Sequence, residues 1–383
     1  MAEQGRPLRI ALVAGEASGD QLGAALIEAL RARAPETQFM GLAGPRMQAA
    51  GCEAVGAAEE LAVMGLFEVL GHLPRLWRLR RRLVRAITDW RADLFIGIDA
   101  PGFNLGLARQ LKGTGLRTAQ YVSPQVWAWR AGRAARMGES CDLVLCLLPF
   151  EPAFYARHGV AAQFVGHPMA DQIPLESQRH SARQQLGIGE EAVVLALLPG
   201  SRRGEVQRLA GDFLTAAQGL RSERPDLLIL APMASPAVRA QFERSGPREN
   251  VRILDGQARL ALQAADAALV ASGTASLEAL LCGCPMVVAY RFGALTAALL
   301  RWLRLVRLPY FSLPNLLAGE PLVPEFFQSA VQPEALRAAV AAQLRDDPAR
   351  QQRMVRFTAI HRTLRVGGAA RAAEAVLGLA GAA

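Results

Sequence analysis

The sequence predicts an α/β protein of two Rossmann-like halves, each a parallel sheet wrapped by helices. Three observations carry this. Short β-rich apolar runs alternate with amphipathic stretches along most of the chain, the pattern of a parallel sheet covered on both faces. The pattern breaks once, between Gly166 and Gln185, where His167-Pro168, Pro174 and many polar residues interrupt it, and then restarts. A length of 383 residues suits two domains, at ~100–200 residues each. The expected boundaries are residues 1–168 for the N-terminal half and 169–350 for the C-terminal half. Residues 351–383 are expected to form helices that pack back on the N-terminal half.

The elements follow in order. Leu8 to Ala14 is a strand that ends at Gly15-Glu16-Ala17-Ser18-Gly19-Asp20, and an amphipathic stretch from Leu22 to Ala34 stops at Pro35. Phe39 to Gly44 reads as the next strand and turn. Further strands are Leu94 to Ile98, Leu116 to Val122 and Leu143 to Leu147. Past the break, Val193 to Leu198 runs into Pro199-Gly200-Ser201-Arg202. Val206, Leu209, Phe213, Ala217 and Leu220 then mark a helix by their spacing of three and four. Leu227 to Ala231, Val251 to Leu254, Ala267 to Val270 and Met286 to Tyr290 complete the strands. Gln332-Pro333-Glu334 opens a helix with proline in its first turn.

A hydrophobic content of 51% with 20% charged residues is a globular composition. The net charge of +9 is carried almost wholly by arginine, Lys112 being the only lysine. A pI near 10.1 implies an anionic partner: a membrane surface, a nucleic acid or a phosphorylated substrate. Aromatic residues at 6%, with no RNA- or DNA-binding motif, argue against nucleic acid. Cys52, Cys141, Cys146, Cys282 and Cys284 have no zinc-ligand spacing and read as buried free thiols of a reducing compartment. The apolar run after Arg6 and Arg9 is too short for a signal peptide, and no uninterrupted apolar run reaches the ~20 residues of a membrane span. A cytoplasmic protein is expected.

Ligands of doubly wound sheets bind beyond the carboxyl ends of the strands, where four loops lie. Ala271-Ser272-Gly273-Thr274-Ala275-Ser276-Leu277-Glu278 is a small-residue turn between a strand and a helix. Free N–H groups and the helix dipole meet there and suit a diphosphate, with Glu278 one turn on to accept from ribose hydroxyls. Gly200-Ser201-Arg202 places an arginine at a helix start, able to hold a diphosphate bidentately. Asp99, at the end of Leu94 to Ile98, is a candidate general base for a hydroxyl nucleophile. The Gly15 loop, with Glu16, Ser18 and Asp20, lacks the Gly-x-Gly-x-x-Gly fingerprint. Its two acids disfavour a pyrophosphate, so it is read as contacting a sugar or an acceptor, or as packing strand on helix. A cleft between the halves is expected to unite these loops. With no Asp-x-Asp pair and five scattered histidines, no metal and no cofactor is expected.

Two stretches combine apolar and basic residues. Val63, Met64, Leu66, Phe67, Val69, Leu70, Leu73, Leu76 and Trp77 precede Arg78, Arg80, Arg81, Arg82 and Arg85. Leu295 to Phe311 mixes Leu299, Leu300, Trp302, Leu303, Leu305 and Val306 with Arg301, Arg304 and Arg307. Either suits an anionic bilayer surface; either also suits a core helix with a basic outer face.

The chain resembles the lipid-A-disaccharide synthases, membrane-associated glycosyltransferases of the GT-B type. The segments that carry the resemblance are Ala14 to Asp20, Leu61-Ala62-Val63-Met64-Gly65, Gly97 to Pro101, and Tyr121-Val122-Ser123-Pro124-Gln125-Val126-Trp127-Ala128-Trp129-Arg130. They continue with Leu148-Pro149-Phe150-Glu151, Leu198 to Arg202, Ala271 to Ala275, and Ser312-Leu313-Pro314-Asn315-Leu316-Leu317-Ala318-Gly319. The resemblance implies transfer from UDP-2,3-diacylglucosamine to 2,3-diacylglucosamine 1-phosphate (lipid X), giving a β(1→6) disaccharide and UDP with inversion. It implies Asp99 as the catalytic carboxylate. Ser201, Arg202, Ser272, Gly273, Thr274, Glu278 and Asn315 would lie at the UDP end, which leaves Gly15, Glu16, Ser18 and Asp20, by the reading of their loop given above, for the acceptor or sugar side. It also implies a peripheral enzyme on the cytoplasmic face of the inner membrane, and is compatible with a homo-oligomer. One position departs: Gly102 in Asp99-Ala100-Pro101-Gly102-Phe103-Asn104 stands where the family usually has a second aspartate.

Overall fold

The computed structural model describes residues 6–62, 69–124, 134–293 and 309–381. The chain divides into two units, Met1–Asp171 with Leu364–Ala383, and Gln172–Thr363. In the first, β1 (Arg9–Ala14), β2 (Gln38–Ala43), β3 (Cys52–Ala57), β4 (Leu94–Ile98), β5 (Arg117–Tyr121), β6 (Leu143–Cys146) and β7 (Ala162–Phe164) pair in parallel in the order β3-β2-β1-β4-β5-β6-β7. In the second, β8 (Val194–Leu198), β9 (Leu228–Met233), β10 (Val251–Asp255), β11 (Ala267–Ala271), β12 (Met286–Tyr290) and β13 (Glu325–Phe327) pair in parallel in the order β10-β9-β8-β11-β12-β13.

Each sheet reverses its direction of growth once. The reversal falls between β1 and β4 in the first unit and between β8 and β11 in the second. The register there brings Ala14 beside Ile98, and Leu198 beside Val270. Connections leaving two adjacent strands toward opposite faces open a crevice at their carboxyl ends. β4, β8 and β11 are buried along their whole length, which is why they read as continuous apolar runs rather than as alternating ones.

Three strands escaped the apolar-run reading, and all three are edge strands. β3 is largely exposed, and β7 and β13 are three residues each and only half-buried. A strand with one neighbour and little burial needs no run of apolar side chains.

The helix Ala17–Arg33 buries Leu26, Ile27 and Leu30, and Arg203–Glu223 buries the predicted stripe of Val206, Leu209, Phe213, Ala217 and Leu220. The C-terminal residues divide differently from the expected block 351–383. The helix Pro348–Leu364 falls almost wholly in the second unit. Only Gly368–Ala380 joins the first, where Ala372, Ala373 and Val376 pack into the core behind β1 and β4. The Asp171 carboxylate fixes its start, accepting from the N–H groups of Gly367 and Gly368 at 3.0 and 2.7 Å.

Of the first apolar-basic stretch, Val63, Met64, Leu66 and Phe67 lie outside the described residues, as does 294–308 of the second. Val69, Leu70 and Leu73 fall in the helix Val69–Asp89, without described side chains. Leu76 corrects the expectation of an outward apolar face. It is half-buried against the core with Leu79, Leu83 and Ile87, because the helix turns its aliphatic stripe toward the sheet. Among the described residues of this helix, Trp77 is the large apolar side chain left outside, 54% exposed, with the Arg81 guanidinium 4.5 Å from its ring. Among the described residues no helix is long and apolar enough to cross a membrane.

Candidate active site

Asp99 stands just past β4 at the β1/β4 reversal. Its φ of 53° and the 40° of Ala100 put two successive non-glycine residues in the left-handed region, which aspartate tolerates and which alanine holds only where its surroundings impose it. Pro101 then starts the helix Pro101–Lys112. The backbone of Asp99 is held on both sides. Its N–H donates to the Tyr121 carbonyl at 2.9 Å, and its carbonyl accepts from Asn104 Nδ2 at 2.9 Å and Gln120 Nε2 at 3.0 Å. The carboxylate itself has no hydrogen-bond or ion-pair partner among the described residues. A fixed backbone carrying an uncommitted, half-buried carboxylate is the state a proton acceptor needs.

The neighbouring Gly15 loop separates into two roles. Gly15 is buried, and a Cβ there would lie 3.1 Å from Ala100 Cβ. It is the residue that lets the β1 loop lie against the Asp99 turn. Glu16 and Ser18 are exposed at the start of the helix Ala17–Arg33. Asp20 does not fit the expected acceptor contact. It is 4% exposed, and its two oxygens accept from the N–H groups of Arg46 and Met47 at 2.9 and 3.0 Å, capping the next helix.

In the second unit the Gly200 turn is built around Glu205. Gly200 has φ 137°, and a Cβ there would lie 2.4 Å from Glu205 Cβ. Glu205 Oε2 accepts from the N–H groups of Ser201 and Arg202 at 3.1 and 3.3 Å. Those two amides are therefore occupied, and the loop presents the exposed Ser201 hydroxyl and the exposed Arg202 guanidinium beside the first-turn N–H groups of Arg203 and Gly204, which donate to no described residue. Across the β8/β11 reversal, Gly273 caps the helix Thr274–Leu281 at φ 145°, with open space where a Cβ would stand. The N–H groups of Gly273, Thr274 and Ala275 donate to no described residue, as the first amides of a helix do. Ser272 donates its hydroxyl to the Phe311 carbonyl at 3.3 Å. Glu278 is held by Arg259 Nε at 3.3 Å.

Asn315 takes a different place from the one expected. It is 1% exposed. Its Nδ2 donates to the Val323 carbonyl at 2.9 Å and to Glu325 Oε1 at 2.8 Å, and its Oδ1 accepts from the Val323 N–H at 2.8 Å. Every polar atom of the side chain is used internally, so it fixes the Phe311–Ser312 turn instead of presenting an amide to a ligand. Glu325 completes that lock by accepting from the N–H groups of Phe311 and Ser312 at 3.1 and 2.9 Å.

A family model described as lipid-A-disaccharide synthetase matches residues 10–377. The lipid-A-disaccharide synthase of Sodalis glossinidius (strain morsitans) is 54% identical over 378 residues, 98% of each chain. The chain belongs to the lipid-A-disaccharide synthase family.

Solved structures agree on the architecture. The glycotransferase of kitacinnamycin superposes with a TM-score of 0.63 at 18% identity, over 98% of this chain and 99% of that one. A putative UDP-N-acetylglucosamine 2-epimerase from Listeria monocytogenes gives 0.64 at 12% identity, over 96% and 94%. At such identities the likeness concerns the fold, which is of the GT-B type. This family member is a hexosyltransferase of lipid A biosynthesis.

Within the family frame, Gly102 is exposed, and a Cβ there would meet nothing within 4 Å. The usual aspartate would fit, and its absence leaves Asp99 as the only carboxylate of the turn. The Trp127-Ala128-Trp129 segment lies outside the described residues. Three residues next to the candidate loops carried no signal in the sequence, Gln120, Arg259 and Glu325, and Asn104 entered only as the end of the Asp99 motif. Each is a polar residue inside a helix or strand, where spacing alone says nothing of its partner. The cysteines are free thiols, and burial pushes even the half-buried Cys282 up to about 12, which removes it as a nucleophile at neutral pH.

Proposed function

We propose that this chain transfers the diacylglucosamine of UDP-2,3-diacylglucosamine to 2,3-diacylglucosamine 1-phosphate, with inversion, releasing UDP. The observation that carries the reading is Asp99: a carboxylate uncommitted among the described residues, on a left-handed and doubly held backbone at the β1/β4 reversal. Asp99 removes the proton from the acceptor 6-hydroxyl as that oxygen bonds to the anomeric carbon. The bond from that carbon to the diphosphate breaks, and its electron pair leaves on UDP. The Arg202 guanidinium and the N–H groups of Gly273, Thr274 and Ala275 take up the charge of the departing diphosphate. Ser201 and Ser272 line the same loops, and the free oxygen of Glu278 accepts from the ribose. Asn315 supports this end indirectly, through the Phe311–Ser312 turn. Glu16 and Ser18 are the remaining polar side chains of the Gly15 loop for the acceptor sugar.

The test is a detergent-micelle assay with both diacyl substrates and no added divalent metal, following UDP and the disaccharide by mass. Disaccharide formation supports the reading. UDP binding without disaccharide would overturn the acceptor assignment while leaving the diphosphate cradle. Arg202→Ala is expected to weaken UDP by about 10- to 100-fold, since a hydrogen bond to a charged group contributes about 1.5–3 kcal/mol. Calorimetry with UDP alone measures this, and an unchanged affinity removes Arg202 from the cradle.

We further propose peripheral attachment to the cytoplasmic face of the inner membrane through the helix Val69–Asp89. Trp77 stands outside the core beside exposed Arg78, Arg81 and Arg85, an indole and guanidinium set suited to an anionic interface. Trp77→Ser is expected to lower sedimentation with phosphatidylglycerol vesicles several-fold. Equal binding by the two proteins would move the membrane contact elsewhere.

A further inference from the structure

Left-handed backbone at the β1/β4 reversal is not confined to Asp99 and Ala100. Val122, immediately past β5, has φ 75°, a conformation that a β-branched residue adopts only under constraint. The three residues sit at the ends of adjacent strands, and two amides touch the carbonyls around them. Gln120 Nε2 donates to the carbonyls of Asp99, Tyr121 and Val122 at 3.0, 3.3 and 3.3 Å. Asn104 Nδ2 donates to those of Asp99, Ile98 and Val13 at 2.9, 3.2 and 3.2 Å. Both side chains are fully buried.

The arrangement is costly in a way that shows what it serves. Asn104 Oδ1 and Gln120 Oε1 are buried without a hydrogen-bond partner. A buried amide that leaves its oxygen unpaired is not placed for its own hydrogen bonding. It is placed for the carbonyls its nitrogen holds, and turning either amide over would set oxygen against oxygen. Gly97 makes room for the pair. A Cβ there would lie 2.7 Å from Asn104 Cβ and 2.9 Å from Gln120 Oε1.

We propose that Asn104 and Gln120 are positioning residues for Asp99. They share its carbonyl and so trap the left-handed Asp99–Ala100 turn, which keeps the carboxylate at the end of β4 in one orientation. This rests on Asp99 being the base. A base that wanders by an ångström loses rate by up to about 10²-fold without any change in substrate binding elsewhere. Nothing in this pair touches substrate. Its contribution passes entirely through Asp99.

A double-mutant cycle tests it, with Gln120→Met as the near-isosteric removal of the donor. In the parent, Gln120→Met is expected to lower kcat by about tenfold or more, with UDP affinity unchanged. In an Asp99→Asn background it is expected to lower kcat no further. The same loss in both backgrounds, or no loss in the parent, overturns the proposal. Asp99→Asn turning over at the parent rate is a separate outcome: it removes the base assignment, and this proposal with it. If Gln120→Met fails to fold, Ala100→Gly gives the same decision without touching the amides. Relieving the left-handed strain is expected to raise the unfolding temperature while lowering kcat. A higher unfolding temperature with kcat unchanged would mean that the strained turn is structural only.

Discussion

Asp99→Asn is expected to fold as the parent does and to lose about 10²–10⁴-fold in kcat, the usual worth of general acid–base help. The structure makes this substitution unusually clean. The carboxylate has no partner among the described residues, so an amide of the same shape disturbs no hydrogen bond or ion pair there. The backbone contacts that fix the turn, to Asn104, Gln120 and Tyr121, do not involve the side chain, and asparagine tolerates the left-handed region well. Far-ultraviolet circular dichroism and the unfolding temperature should therefore match the parent. UDP affinity should also hold, because the loops proposed to cradle the diphosphate belong to the second unit. The loss should fall equally on kcat and kcat/KM, the signature of an interaction made only in the transition state. Turnover within a few-fold of the parent would leave the proton without its acceptor. With Gly102 supplying no second carboxylate in that turn, the base would then have to be sought outside it.

The strand ends were legible in the sequence because buried parallel strands announce themselves. β1, β4, β8 and β11 are runs of aliphatic residues bounded by turn residues, and the loops that follow them were located by those boundaries. What was not legible is which polar groups the fold keeps for itself. Asp20 and Glu16 look alike as two acids of one loop, yet Asp20 caps a helix that follows β2 and only Glu16 stays exposed. Asn315 and Ser312 belong to a family segment, and the sequence could not say that Glu325, ten residues on, would take up the amide. The Gly200 turn offered backbone N–H groups in principle, but Glu205 at the helix start already holds two of them. In each case the competitor is a side chain within reach only after folding. The left-handed turn at Asp99 was equally hidden, since aspartate and alanine give no glycine signal for it.

The second large effect lies at the opposite ends of the strands. Arg183→Met is expected to destabilise the second unit by about 3–5 kcal/mol, the range for breaking a buried ion pair by removing one partner. Arg183 is fully buried in the helix Arg179–Leu186. Its guanidinium donates to the carbonyls of Ala264, Gly189 and Ala192 at 3.1, 3.0 and 2.9 Å, and to Asp266 Oδ2 at 2.9 Å. Asp266 also accepts from the Val194 N–H at 2.8 Å, and so joins the starts of β8 and β11. Methionine fills much of the volume but leaves those acceptors buried and unpaired. Arg179, which also reaches Asp266 at 3.1 Å, keeps that carboxylate from being stranded and favours the lower end of the range. For a unit of this size the unfolding temperature should fall by roughly 6–20 °C, at about 2–4 °C per kcal/mol. Well below the new midpoint, UDP affinity should be unchanged. Arg202 and the Gly273 turn stand at the carboxyl ends of β8 and β11, the full length of the strands from Asp266. The two substitutions thus separate the ends of the sheets. Asp99→Asn removes rate and leaves stability, whereas Arg183→Met removes stability and leaves ligand affinity. A fall in UDP affinity that persists in fully folded Arg183→Met would show that the amino ends of β8 and β11 set the geometry of the loops at their carboxyl ends.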